Sequence, residues 1–297
     1  MGNKRVAFTA GKTFFNGLSQ IMLQENPITG MLFLAGIFCG SLEMGIAAIV
    51  AVIFGSLTSV ALRYPPEEIS QGLYGFSAAL VGIAVALLFQ PTNARWLLIA
   101  IGAVLTTIIQ HFFIARDAPG FTFPFIIVTW LFLFVLPNFP QLVALNTDGV
   151  VKLDDAGYAT VIHGFGQIIF QDNLWAGVLF IIGILISSRV ATLFGMISAI
   201  LSGFLAYVFG EPVTAIYGGL LSYNAVLCAI TFAGSKKSDI ILGFIAVVLA
   251  TLIMMLMRRL QLPALTFPFV LASWFTLIIK NRTHLFAGRT NRDIWID

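Results

Sequence analysis

An all-α polytopic membrane protein, made of two homologous halves inserted in opposite senses, is predicted by three features of this chain. Hydrophobic residues make up 59% and charged residues 10% of its 297 positions. A soluble protein carries about 25% charge, so the chain has too little polar surface to face water. Its apolar runs are continuous and close to the roughly 20 residues that a helix needs to cross a bilayer. A transmembrane barrel would instead alternate polar and apolar residues. Finally, blocks of sequence recur in the same order about half a chain apart, the mark of an internal repeat.

The repeat is legible at three places. Leu262-Pro263-Ala264-Leu265-Thr266-Phe267-Pro268-Phe269, with Trp274 behind it, answers to Ala118-Pro119-Gly120-Phe121-Thr122-Phe123-Pro124-Phe125 with Trp130, an offset of 144. Ser19-Gln20-Ile21-Met22-Leu23-Gln24-Glu25-Asn26 answers to Gly166-Gln167-Ile168-Ile169-Phe170-Gln171-Asp172-Asn173, an offset of 147. The same offset of 147 relates Gly72-Leu73-Tyr74-Gly75-Phe76-Ser77-Ala78-Ala79-Leu80 to Gly219-Leu220-Leu221-Ser222-Tyr223-Asn224-Ala225-Val226-Leu227.

In chain order, residues 1–12 carry Lys4, Arg5 and Lys12 and read as a cytoplasmic tail without a cleavable signal. Residues 13–25 read as a helix too short to span, either on the surface or dipping into the protein as a half-helix. Five spans are expected near 27–42, 43–62, 71–90, 95–115 and 119–137. A polar stretch with Asp148, Lys152, Asp154 and Asp155 then links the halves. The plan repeats as a short helix near 161–172 and spans near 174–187, 190–209, 214–233, 238–257 and 264–280. The domains are thus a first repeat over 1–140, a linker over 141–157 and a second repeat over 158–297.

Charge fixes the orientation. With the N-terminus inside and ten spans, the inside loops and tails hold Lys4, Arg5, Lys12, Arg63, Arg116, Arg189, Lys236, Lys237, Lys280, Arg282, Arg289 and Arg292. The outside holds Arg95, Lys152, Arg258 and Arg259, as the positive-inside rule requires of the minority side. Five spans per half, an odd number, make the second half enter from the opposite face, an inverted repeat of the transporter kind. Both termini are expected in the cytoplasm. The net charge of +3 belongs to loops and tails rather than to a nucleic-acid surface.

Chemistry-bearing residues are few. Glu25, Glu43, Asp117, Asp172, Glu211 and Asp239 all fall at helix ends, whereas ion-coupled carriers bury a carboxylate or histidine in the membrane. His111 lies near a span end, and His163 and His284 lie outside spans, all read as interfacial. Cys39 and Cys228 read as small core residues rather than a disulfide or metal site. No nucleotide loop, metal pair or nucleophile–base set occurs, which argues against an enzyme and against a cofactor.

What remains are neutral polar residues at matched positions. Gln20 and Gln167 lie in the two short helices, where each amide either ties helices together or faces a pathway, since an unpaired one is costly in a membrane. Thr122 and Thr266 precede prolines. Their hydroxyls either satisfy backbone carbonyls or line a mid-membrane break in a helix. Phe76 with Leu80, and Tyr223 with Leu227, stand at i, i+4 on one helix face, a spacing that core packing also produces.

Together these blocks resemble the urea transporter family. The signature L-P-x-x-T-x-P-F is complete in Leu262–Phe269 and partial in Ala118–Phe125. The resemblance extends to Gly164-Phe165-Gly166-Gln167, to Asn26-Pro27-Ile28-Thr29-Gly30 and to Gly72–Phe76. It implies two re-entrant half-helices, a homotrimer in lipid with one pore per subunit, and passive, channel-like passage of urea. The pore would be a narrow apolar slot edged by hydrogen-bonding oxygens. Carried over, Gln20 and Gln167 are the half-helix glutamines, each followed by an apolar barrier residue, Ile21 and Ile168. Thr122 and Thr266 are the threonines. Leu23, Phe76 and Leu80 wall one mouth, and Phe170, Tyr223 and Leu227 the other. The chain departs from the pattern with Ala118 for the signature leucine, Leu174 after Asn173 in place of proline, Leu23 against Phe170, and Tyr223 against Phe76.

Urea suits such residues. It is flat and neutral, with one acceptor oxygen and four N–H donors, so a filter needs acceptors more than charges. Apolar walls exclude hydrated ions because they cannot replace a hydration shell, and several weak sites let a solute both enter and leave. A channel for ammonia or another small amide is the nearest alternative, and a membrane scaffold without a pathway the one from another class. Compact tails point to a bacterial inner membrane.

Overall fold

A computed structural model describes residues 2–138 and 159–282, with side chains described from residue 10 onward. The expected linker over 141–157, His284 and the basic residues Arg289 and Arg292 lie outside the described residues. The described residues are helical throughout, with no strand among them. They divide into two compact units, one of residues 1–112 with 124–152 and the other of residues 113–123 with 153–297.

The first unit begins with α1 (Gly2–Ser19), a 3-10 turn (Gln20–Met22) and α2 (Pro27–Gly40). The expected tail over 1–12 is therefore helical from Gly2. The half-helix and α2 pack together and are bent by 73° at their junction. Leu23 makes the break, taking φ 59°, a left-handed conformation that side chains disfavour. Asn26 then starts α2, its Oδ1 accepting from the N–H of Ile28 at 2.9 Å and of Thr29 at 3.3 Å, with Pro27 at the first helical position, where its missing N–H costs nothing. Gly30 lets the two helices touch, because a Cβ there would stand 1.9 Å from the Phe15 carbonyl oxygen.

Helices α3 (Leu42–Ala61), α4 (Pro66–Ser70), α5 (Phe76–Leu88), α6 (Asn93–Ile114) and α7 (Phe123–Val135) follow. Ser41 caps α3 by accepting from Met44 N–H at 3.3 Å. The expected span over 71–90 starts late: Gly72 takes φ 80°, and α5 begins only at Phe76, behind the separate short helix α4. The turn is Gln71-Gly72-Leu73-Tyr74-Gly75, short enough for a hydropathy window to average it into the apolar run behind it.

The second unit repeats this order. It holds α8 (Thr160–Gly166) with a 3-10 turn (Gln167–Ile169), α9 (Leu174–Ser187), α10 (Arg189–Val208), α11 (Val213–Tyr217), α12 (Tyr223–Thr231), α13 (Lys237–Arg259) and α14 (Phe267–Arg282). The half-helix and α9 are bent by 83°, and Phe170 makes the break at φ 57°. Asn173 caps α9 through Trp175 N–H at 2.8 Å, so Leu174 does without the proline found in the first unit. Ser188 caps α10 through Ala191 N–H at 3.2 Å. The expected span over 214–233 is broken by the matching turn, with Gly219 at φ 73°.

Every described residue with positive φ has a partner in the other half. Leu23 pairs with Phe170, Arg63 with Gly210 and Gly72 with Gly219 at an offset of 147, and Asp117 with Gln261 and Phe121 with Leu265 at 144.

Four helices (α3, α6, α10 and α13) are long and apolar enough to cross a membrane, and six spans result if each bent pair counts as one. The remaining expected spans correspond to shorter apolar helices. Along α10, Leu193, Ile197, Ile200 and Phe204 form one exposed apolar stripe at helical spacing. Such a stripe is unstable in water and suits lipid. Cys228 is buried in α12, whereas Cys39 is exposed near the end of α2, a correction to its reading as a core residue.

Candidate functional site

In the first unit the site is built around the end of the half-helix. The left-handed Leu23 folds the chain back, so that Gln24 Nε2 donates to the Met22 carbonyl at 2.9 Å. Ser19 Oγ bonds the carbonyls of Asn16 and Gln24 and accepts from Asn26 N–H at 3.3 Å. With its end tied down, the turn presents Gln20 and Ile21. Gln20 is buried, and its Nε2 donates to the Gln71 carbonyl at 3.2 Å in the turn before α5. Helix α5 packs on this 3-10 turn, with Phe76 and Leu80 buried and Leu23 half-buried. Phe76 therefore does not face lipid.

In the second unit the same end is built with less. Gln171 Nε2 donates to the Ile169 carbonyl at 2.9 Å, the counterpart of the Gln24 bond. Gly166 stands where Ser19 does and adds no hydroxyl. Gln167 and Ile168 are buried, but Gln167 Nε2 finds no partner among the described residues. Phe170 is half-buried, and α12 packs on this turn with Tyr223 and Leu227 buried.

Thr122 and Thr266 come together within the second unit, because the segment 113–123 belongs to it. Their hydroxyl oxygens lie 2.7 Å apart and both residues are buried. Each follows a left-handed residue, Phe121 or Leu265, and precedes a helix whose second residue is Pro124 or Pro268. A proline in the first turn removes no helical hydrogen bond. The threonines thus do not repair a proline break, and each hydroxyl has the other as its partner. Trp274 Nε1 donates to the Pro119 carbonyl at 2.7 Å and packs edge-on against Phe123, while Phe121 packs against Phe269. These contacts hold the loop of Thr122 against α14.

Tyr223 is not a plain wall. Its hydroxyl donates to the Leu265 carbonyl oxygen, which also accepts from Asn224 Nδ2 at 3.2 Å. Asn224 Oδ1 in turn accepts from Phe269 N–H at 3.1 Å. The first-half counterparts of these two residues are Phe76, without a hydroxyl, and Ser77, whose buried Oγ has no partner among the described residues. Asn224, Gln24 and Gln171 had no role in the sequence reading, although all three stood inside the matched blocks.

Several charged side chains, and the histidines among the described residues, have partners of their own. Arg95 is buried, donating to the carbonyls of Ala86 at 3.2 Å and Phe89 at 3.3 Å and pairing with Glu43 at 3.1 Å, which ties α6 to the end of α5. Glu211 pairs with Arg258 at 3.4 Å and Arg259 at 3.5 Å. Tyr74 donates to Glu68 and lies 2.9 Å from His111 Nδ1, and His111 stacks on Tyr64. His163, expected at an interface, is buried in α8 and bonds the Tyr217 carbonyl through Nδ1 at 3.0 Å. Among the described residues no cluster of His, Cys, Asp or Glu could hold a metal ion. Two grooves flank α10, one beside Phe204 and Tyr217 and the other beside Phe194 and Phe244, and neither is lined by an expected site residue.

Each unit thus gathers buried amides or hydroxyls and backbone carbonyls beside apolar side chains. Such groups can exchange hydrogen bonds with a neutral polar solute, and they lack the acid, base or nucleophile of a catalyst. Residues 12–281 match the model of a family described as "UT: Urea transporter". The "Urea transporter 1" of Rattus norvegicus is 27% identical over 288 residues, covering 89% of this chain and 75% of the rat protein. The "Urea transporter 1" proteins of Ovis aries and Capra hircus are each 27% identical over 291 residues, covering 90% of this chain and 76% of theirs.

Proposed function

The chain belongs to the urea transporter family, and from that premise we propose that it carries urea passively, as a channel, across a cell membrane. The proteins it matches are transporters, not enzymes. The observation that carries the channel reading is the neutrality of the site: the amides of Gln20 and Gln167 and the hydroxyls of Thr122 and Thr266 are buried, and no ionisable partner touches them in the bonds described above. Proton coupling needs a group whose charge changes during the cycle, and a neutral set offers urea only weak, exchangeable hydrogen bonds.

In this reading Gln20, Ile21, Leu23, Phe76 and Leu80 line one mouth and Gln167, Ile168, Phe170, Tyr223 and Leu227 the other, and Thr122 and Thr266 also line the pathway. The burial of Phe76 and Tyr223, and the packing of α5 and α12 on the half-helix turns, support it. The two halves would be inverted repeats of five helices and a half-helix each, in which α5, α7, α12 and α14 are spans shortened by the breaks before them. The five pairs of left-handed residues support a common plan for the halves. The positive-inside count supports cytoplasmic termini. A homotrimer with one pore per subunit follows from the family resemblance.

Stopped-flow urea flux into proteoliposomes tests the function directly. Uptake should follow the urea gradient and ignore imposed proton or sodium gradients. Accumulation against a urea gradient, driven by either ion, would replace the channel by a coupled carrier. Flux of methylammonium without flux of urea would favour an ammonia channel.

The slot walls give a second test. Phe76→Ala opens one wall and should admit bulkier amides, raising acetamide flux relative to urea. A phenylalanine that only fills a core would cost about 3–5 kcal/mol on truncation and leave the acetamide-to-urea ratio unchanged. A melting curve alongside the flux assay separates the two.

A further inference from the structure

The two mouths are built on the same plan but differ in one acceptor. In the second unit the buried Leu265 carbonyl oxygen, in the left-handed turn before α14, has two lone pairs and two donors: the Tyr223 hydroxyl and Asn224 Nδ2. Its capacity is filled. Asn224 is held in place by accepting from Phe269 N–H, so its donor stays aimed at the same oxygen. The first half has Phe76 and Ser77 at the matched positions, and Ser77 Oγ bonds nothing among the described residues. Phe76 has no donor to give, and Ser77 has one hydroxyl where Tyr223 and Asn224 together supply two donors.

We propose that Tyr223 is a specificity-determining residue: its hydroxyl withdraws the Leu265 carbonyl from the acceptors offered to the permeant and leaves a weaker phenolic oxygen in its place. The inference rests on the urea pathway proposed above. A phenolic oxygen that is already donating accepts less strongly than an amide carbonyl, so this mouth binds N–H donors weakly and releases them readily. It discriminates by shape, through the ring of Tyr223 and the side chain of Leu227, more than by counting N–H groups.

The test is Tyr223→Phe, which keeps the ring and removes the donor, assayed for saturation of urea and acetamide flux in proteoliposomes. The freed lone pair should lower the urea half-saturation concentration by about two- to tenfold, the worth of one hydrogen bond. Acetamide, with two N–H groups against four, should shift less, so the urea-to-acetamide preference rises. A hydroxyl that only braces the loop would lower the melting temperature and leave that preference where it was. Asn224→Ser, which installs the first-half residue, withdraws the other donor from the same oxygen and should move the preference in the same direction. It also serves if Tyr223→Phe does not fold. Wild-type protein without urea flux would remove the proposed function, whereas wild-type flux with an unchanged or reversed preference in the variants removes this inference alone.

Discussion

Gly30→Ala is expected to leave little folded protein. A Cβ at this position meets Phe15 O at 1.9 Å, Phe15 C at 2.7 Å and Phe15 Cα at 3.0 Å. All three are backbone atoms, so no side-chain rotation relieves the overlap, and the half-helix must lift off α2. Lifting it would carry Gln20, its bond to the Gln71 carbonyl and the packing of α5 away together. Overpacked sites cost about 1–3 kcal/mol and occasionally more, and a clash confined to backbone belongs at the upper end. Gly177→Ala should behave alike, since its Cβ meets the Ile162 carbonyl oxygen at 2.3 Å. Gly203 in α10 is the control: its Cβ would meet nothing nearer than 3.5 Å, and alanine inside a helix gains about 0.5–1 kcal/mol over glycine. Melting curves and monodispersity in detergent read the outcome. A Gly30→Ala protein that melts with the wild type would mean that the hairpin of half-helix and α2 is packed more loosely than described.

The Thr122–Thr266 pair should show opposite signs in stability and in flux. A single valine leaves the other buried hydroxyl without its partner at 2.7 Å, which costs about 1–3 kcal/mol. The double valine removes both groups at nearly the same shape and should recover most of that loss. Flux follows the solute instead. If the hydroxyls face urea, each bond lost costs about 0.5–1.5 kcal/mol, so the double variant should be the slowest, several-fold to more than tenfold below wild type. The expected pattern is single variants that are less stable than the double, and a double variant that conducts least. Flux that recovers together with stability in the double variant would show that the pair only fastens the loop of Thr122 to α14.

Much of this arrangement could be read from the chain because it was written twice. The Asn26 and Asn173 caps, the half-helix glutamines and the threonines before Pro124 and Pro268 all stood in matched blocks. The interruptions around Gly72 and Gly219 escaped because hydropathy averages composition over a window, and a turn of about five residues vanishes into the apolar run that follows it. The partner of the Tyr223 hydroxyl escaped for another reason. It is a backbone carbonyl 42 positions away, and no local pattern encodes a bond to an atom that every residue possesses. Leu23 and Phe170 gave no warning of their left-handed backbone, since the usual signal for that conformation is a glycine.

Those left-handed pairs also hold a record of how the halves have drifted since they were one segment. Each pair is the same backbone demand met independently two times. At Arg63 and Gly210 one copy keeps a side chain and the other has dispensed with it; at Gly72 and Gly219 neither copy has one. At Leu23 and Phe170, and again at Phe121 and Leu265, both copies keep a large apolar side chain where glycine would sit without strain. Mutation has had two chances at each of these places to find the cheaper residue. The duplicated molecule thus serves as its own control, separating corners that need only a bend from corners where strain is tolerated for the sake of what the side chain covers.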